Sequence, residues 1–290
     1  MVESLSMFPL SAVTDEFSPD FETAAKSMRE LGMSAAELRV IDGRNIIDFT
    51  DADLDRVTSI AERYGLRILS IASPILKCEL PGAPPIDSSI QHDLFGARFT
   101  IADQPRLADR AFAIAKKTGA SIIRVFSYWR TVEPEKCFAP AAAALRNLAQ
   151  EAARHDVTIG LENEHACNIA TAAESARLLQ AVDHPNLKLI WDPANAYVAG
   201  ERPYPDGYRL LPIDRIVHVH AKDCTMKDRE PVWGPLGEGD IGWKPQLEAL
   251  WRDGYRGYIS LETHWRGPNG DKHEASMICG RNLKSLAGAA

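Results

Sequence analysis

Four short apolar runs late in the chain each carry, at their C-terminal ends, a side chain that can hold a cation or move a proton. They are Leu161-Glu162-Asn163, Trp191-Asp192-Pro193, His218-Val219-His220 and Leu261-Glu262-Thr263-His264. Burying an unpaired carboxylate is costly, so an acid at the end of such a run needs a partner. Taken singly, a Glu or Asp there more often caps a helix or faces solvent. Asp192 before Pro193 would then be a turn, and Glu262 a cap partner. Four such residues on four consecutive runs shift that balance. Three carboxylates and a histidine meeting at one point would repel unless a cation neutralised them. Oxygen-rich ligation with one imidazole suits Mn²⁺, Mg²⁺, Co²⁺ or Zn²⁺. The expectation is one divalent metal ion held by Glu162, Asp192, His220 and Glu262. His218 and His220 are two residues apart and share one side of a strand. His220 lies nearer the C-terminal end and is the expected ligand. His218 sits one layer deeper, as support or packing.

The elements that must position these groups follow from the pattern along the chain. Apolar, β-rich runs recur at residues 9–15, 35–40, 67–73, 121–127, 157–163, 187–192, 215–221 and 257–263. Parallel strands buried on both faces read as such runs. Helix signals lie between them. Ser18-Pro19-Asp20 starts one, with Gly32 as its stop, and Thr50-Asp51 starts another that ends near Gly65. Further helices are expected at 105–118, 139–155, 171–183, 244–253 and 274–288. This alternation, with no second composition regime, predicts a (β/α)8 TIM barrel and one domain over 1–290. A doubly wound sheet would want a GxGxxG loop after an early strand, and none is there; GEGDIG at 237–242 is a late loop of different spacing. Two segments, 77–100 and 222–243, are too long for plain connections. Both follow strands, so both belong to the barrel face that carries active sites.

Composition narrows the classes of function. The 290 residues are 45% hydrophobic and 25% charged, with a formal net charge of −7. That acidic balance argues against nucleic acid as the main partner. Five cysteines with no CxxC pair argue against a disulfide framework or a thiolate zinc site. With no signal-peptide pattern and no apolar run of membrane length, the expectation is a soluble cytoplasmic protein without a membrane partner.

The residues LEN at Glu162, WDPAN at Asp192, HVHAKD at His220, GEGDIGW and LETH at Glu262 occur together in this order. In this the chain resembles the xylose isomerase-like TIM-barrel superfamily of sugar phosphate isomerases and epimerases, from TDEFSPDFETA near the start to SLETHW near the end. The HxHxKD run is closer to the inosose isomerase and dehydratase branch than to the ketose 3-epimerases. The resemblance implies that Glu162 and Glu262 both bind the metal and serve as the acid/base pair, and that the substrate is a small carbohydrate. It also allows a homo-oligomer, since relatives are often dimers or tetramers. Two departures stand out. Asn195 replaces a histidine found in several relatives three residues after the strand 6 aspartate, and Asn168 replaces a second glutamate six residues after Glu162.

The expected reaction is isomerisation or epimerisation of a keto-sugar, polyol-ketone or sugar phosphate. Proton transfer beside the carbonyl would pass through a metal-stabilised enediolate. The alternative is β-elimination from a keto-sugar or inosose by a dehydratase at the same site. An endonuclease IV-like zinc DNA-repair enzyme, or a barrel without catalysis, is less favoured. Lys222 would share the orientation of His220 and hold a substrate oxygen, or else pair with Asp223 at the surface. Asn195, Glu164, His165, His264 and Glu37 are further substrate-binding candidates. Trp233 and Trp243 could stack on a sugar face, though such tryptophans more often simply pack their loop. Arg39 would reach the same pocket or pair with Glu37.

Overall fold

The computed structural model describes residues 7–92 and 98–288. Eight parallel strands close into a barrel with helices between them. They are β1 (Leu10–Val13), β2 (Ala35–Leu38), β3 (Arg67–Ile75), β4 (Ile122–Val125), β5 (Thr158–Glu162), β6 (Leu187–Trp191), β7 (Ile216–Ala221) and β8 (Ile259–Leu261). Their order around the barrel is β1-β8-β7-β6-β5-β4-β3-β2. Every strand coincides with one of the apolar runs read from the sequence. The helices are α1 (Phe21–Glu30), α2 (Asp51–Arg63), α3 (Gln104–Thr118), α4 (Phe138–His155), α5 (Ala172–Val182), α6 (Pro193–Val198), α7 (Trp243–Arg252) and α8 (Lys272–Gly288). Among the described residues no helix is long and apolar enough to cross a membrane.

The chain divides into two compact units, residues 1–69 with 218–290, and residues 70–217. In the first, β1 pairs with both β8 and β2, with Ala12 level with Leu261 and with Ala36. β8 in turn pairs with β7, Leu261 level with Ala221. Local signals set the helices. The Asp20 carboxylate accepts the Thr23 N–H to start α1, and Thr50 and Asp53 form a reciprocal capping box on α2. In the second unit β4, β5 and β6 run side by side, Val125 level with Leu161 and Leu161 with Leu189. Gly160 allows that approach, since a Cβ there would lie 2.7 Å from the Ile190 side chain. Thr171 and Glu174 box the start of α5, and Gly119 ends α3 in the left-handed region.

Two features lie outside the sequence reading. Segment 222–243, read as a long loop, contains an antiparallel ribbon of Asp223–Lys227 and Glu230–Gly234, turned by Asp228 and Arg229 at positive φ. The short α6 begins at Pro193, whose fixed φ suits the first helical position. Of segment 77–100, residues 93–97 lie outside the described residues. Its parts 79–86 and 98–101 wall a cavity of about 660 Å³ that ends on Trp129 and Thr131.

Candidate active site

In the first unit, chemistry gathers around Glu262 and Glu37. Glu262 directly follows β8 and is buried. Its Oε1 accepts from Arg39 Nη1 at 2.7 Å, and its Oε2 accepts from Lys222 Nζ at 3.1 Å. His220 Nδ1 lies 3.3 Å from the same Oε2. Burial by itself would raise the Glu262 carboxyl; Lys222, His220 and Arg39 outweigh it and hold the group well below its ordinary 4.5. Arg39 also reaches Asp15 at 2.9 Å and Glu16 at 2.5 Å. That ring of carboxylates keeps the buried guanidinium charged: burial would lower its value, and Asp15, Glu16 and Glu262 push it well above the ordinary one.

Glu37 lies behind the histidines. Its Oε1 is 2.7 Å from His218 Nε2 and 3.3 Å from His220 Nε2, and Ser260 donates to it. Burial opposes ionisation of Glu37, but the two imidazoles, by charge and hydrogen bonding, hold it well below 4.5. Glu37, His218 and His220 would offer three metal-capable atoms by themselves. The direct hydrogen bonds between them account for their arrangement.

The residues after β7 form a platform. Lys222 is 1% exposed, and the Trp233 ring centroid lies 5.7 Å from its Nζ. Trp233 meets His264 edge-on, with centroids 4.6 Å apart. Trp243 is buried and donates its indole N–H to the Lys222 carbonyl at 3.0 Å. The Asp223 carboxylate accepts the N–H groups of Cys224, Gly237 and Ile241 at 3.0, 2.8 and 3.3 Å. A Cβ on Gly239 would come within 2.3 Å of Asp223 Oδ1. The GEGDIG glycines therefore let the loop wrap a buried carboxylate.

In the second unit, Glu162 ends β5 with its Oε2 3.2 Å from Arg124 Nη1. Asn195 Nδ2 lies 3.4 Å from Glu162 Oε1 and donates to the Asn163 carbonyl at 3.0 Å. The Asn163 amide pins the neighbouring strand end: its Oδ1 accepts the Asp192 N–H and its Nδ2 donates to the Asp192 carbonyl, both at 2.8 Å. Asp192 Oδ1 accepts the Asn195 N–H at 2.9 Å, capping α6. His165 Nδ1 lies 2.8 Å from Glu164 Oε1 and 3.0 Å from Asn195 Oδ1. Lys77 Nζ is 3.4 Å from Glu164 Oε2.

Several expectations change. Arg39, read as a pocket residue or a partner of Glu37, has its guanidinium on the carboxylates after β1 and β8. Lys222 is not a surface lysine paired with Asp223, whose oxygens are engaged by backbone amides. Trp243 packs its loop. Asp192, read alternatively as a turn before Pro193, caps α6 through Oδ1. Asn168 latches the loop after β4, accepting the Thr131 N–H at 3.1 Å and donating to the Trp129 carbonyl at 2.9 Å. Glu37 has its oxygens engaged by His218, His220 and Ser260. Sequence reasoning missed Arg124, Lys77, Asn163 and Ser260. Arg124 carried a signal: a lone cation inside the apolar run SIIRVFS needs a buried partner. Lys77 carried none.

Parallel strands closed into a barrel, with polar side chains gathered at strand ends, define a TIM-barrel protein with an enzyme-like site. Residues 25–283 match the family model described as xylose isomerase-like TIM barrel, and the chain belongs to that family. A curated relative, inosose dehydratase of Lactiplantibacillus plantarum, is 23% identical over 195 residues, 61% of this chain and 62% of its own length. A second, from Geobacillus thermodenitrificans, is 30% identical over 136 residues, 41% of this chain and 44% of its own. The chain thus spans less than two thirds of these relatives. Among solved structures, the IOLI protein with a bound zinc atom superposes with a TM-score of 0.70 at 15% identity, covering 97% of this chain and 98% of that one.

Proposed function

We propose that the protein is a divalent-metal-dependent isomerase or epimerase of a small polyhydroxylated ketone, with Glu162, Asp192, His220 and Glu262 holding one ion and Glu162 and Glu262 moving the proton. The observation that carries this reading is the setting of Glu262: a buried carboxylate in contact with an imidazole and two cations. Three carboxylates and one imidazole fit a borderline or hard divalent ion such as Mn²⁺, Mg²⁺, Co²⁺ or Zn²⁺. Family membership supports the reading. The zinc in the superposed IOLI structure is a further reason to expect metal binding.

A bound divalent ion supplies Lewis acidity toward a carbonyl and an adjacent hydroxyl. The side chains do the rest. Glu262 accepts the proton from the carbon beside the carbonyl, and the C–H electron pair moves toward the carbonyl oxygen. A carboxylate held below 4.5 is a weak base, so the carbon acid must be activated for the transfer to proceed. Glu162 returns a proton, to the opposite face for epimerisation or to the neighbouring carbon for isomerisation. Asn195 and Arg124 hold Glu162, and Glu37 orients His220 by hydrogen bonding to its ring.

A second reading is dehydration, favoured by Lys222. Its ammonium, 3.1 Å from Glu262, could give a proton to a departing β-hydroxyl while Glu262 takes the carbon-bound one. The electron pair then forms a C=C bond and water leaves. The inosose dehydratases among the relatives carry that activity in their names.

The test loads the purified protein with Mn²⁺ or Zn²⁺, counts metal per chain, and follows an inosose and a ketohexose in D2O by NMR. Deuterium entering recovered substrate or an epimer supports the first reading, and an unsaturated product supports the second. No bound metal and no exchange would overturn both.

A further inference from the structure

Lys77, which no sequence motif marks, stands in a strained and aromatic setting. It follows Leu76, a non-glycine residue at φ +60°, and across from it Tyr128 is held at φ +62°. The two kinks are tied together, since Tyr128 N–H donates to the Leu76 carbonyl at 2.8 Å and Trp129 N–H to the Cys78 carbonyl at 2.9 Å. Left-handed backbone at bulky residues costs energy and gathers where side chains must be aimed. Here the result is an ammonium set against the Phe126 ring at 4.3 Å and the Trp129 ring at 5.6 Å, with Glu164 Oε2 at 3.4 Å. The side chains of Lys77, Glu164 and His165 are 11%, 10% and 12% exposed, so each keeps an edge open to solvent.

The hydrogen-bond directions run on to Glu162. Asn195 donates through Nδ2, so its Oδ1 is the atom that faces His165. His165 Nδ1 thus lies between two acceptors and carries the proton. In the neutral ring Nε2 is then an acceptor. The cluster combines a strong donor, a strong acceptor and an imidazole acceptor, and the Lys77 charge is balanced by Glu164. Vicinal hydroxyls, each able to donate and to accept, match such a set. A phosphate, with acceptors only, would have to compete with Glu164 for Lys77. Nearby cations of the same unit also sit on carboxylates: Arg124 on Glu162 and Arg130 on Glu174.

We infer that Lys77 and Glu164, steadied by His165, form the hydroxyl-recognition end of the substrate site and select an uncharged polyhydroxylated substrate over a phosphorylated one. This rests on the function proposed above. The experiment compares three probes, an inosose, a ketohexose and its 6-phosphate, by calorimetric binding to Mn²⁺-loaded protein and by proton exchange in D2O. Wild type should bind a neutral probe about tenfold or more above the phosphate. Lys77→Met should raise KM for the neutral probe about tenfold while kcat moves much less, because one charged hydrogen bond is lost in ground and transition states alike. Glu164→Gln uncovers the Lys77 charge and should shift the preference about tenfold toward the phosphate, a change that loosened packing alone would not produce. Both variants should bind Mn²⁺ as wild type does. Wild type that prefers the phosphate or binds no neutral probe, or a Glu164→Gln preference within about twofold of wild type, would overturn the inference. Failure of wild type to bind Mn²⁺ would overturn the metal reading instead, so the two failures are distinguishable.

Discussion

Glu162 ends β5 and Glu262 directly follows β8, and the two are held by different neighbours. Around Glu262 the partners are ions: Arg39, Lys222 and His220, with Asp15 and Glu16 behind the arginine. Around Glu162, Arg124 is joined by the amide of Asn195, while the Asn163 amide fixes the Asp192 backbone. An ionic setting keeps a carboxylate charged whether or not another cation is present. An amide setting fixes position and changes charge less. In the reaction proposed above, Glu262 would accept the proton and Glu162 would return it.

The largest test of that contrast is catalytic. Glu262→Gln and Glu162→Gln should each lower kcat by about 10²–10⁴, the usual worth of a positioned acid or base. The division of roles is sharpened if Glu162→Gln retains more first-step exchange, measured as loss of substrate deuterium, and broken if the two variants are equal in it.

Next in size is stability. Arg39→Met removes a cation from two buried carboxylates, Glu16 and Glu262, and from the half-buried Asp15, whereas Arg124→Met removes one from Glu162 alone. Removing one partner of a buried pair costs about 3–5 kcal/mol, and urea denaturation should place Arg39→Met toward the upper end and Arg124→Met below it. Equal losses would remove the ionic-versus-amide distinction.

Chelation should cost less. A ligand at a hundred times its Kd stabilises by about 2.7 kcal/mol, so EDTA should lower the melting temperature of the metal-loaded protein. In Asp192→Asn that drop should shrink.

Acid separates the halves through Glu37. Its folded value is depressed, so its contribution is present above the ordinary 4.5 and is lost as pH falls toward the folded value. Glu16 is raised by burial and acts in the opposite sense. The informative quantity is therefore a difference: below about pH 4.5, Glu37→Gln should lose stability less steeply than wild type. Parallel curves would show that Glu37 is not what the histidines hold. The smallest effect is expected at the helix starts, where Thr171→Ala and Thr50→Ala should each cost about 1 kcal/mol.

Much of the fold was legible. The strands are short β-rich runs buried on both sides, so their apolar residues are contiguous in sequence and need no tertiary information to be found. Asp20, Thr50 and Thr171 cap helix starts for the same local reason. The turn of 223–234 was not legible, because its φ > 0 residues are Asp228 and Arg229 and no Asn-Gly or Asp-Gly pair announces it. Nor was α6, at six residues too short for a helical period to emerge.

By itself the sequence determined the barrel's alternation and the chemical types available at its strand ends, because both depend on residues adjacent in the chain. Only tertiary structure decided the partners. Arg39 meets Glu262 across 223 positions, Glu37 meets His218 across 181, and Lys77 meets Glu164 across 87. A charged side chain carries no local mark of which distant opposite charge it will find; that choice is made where the strands bring both out of water.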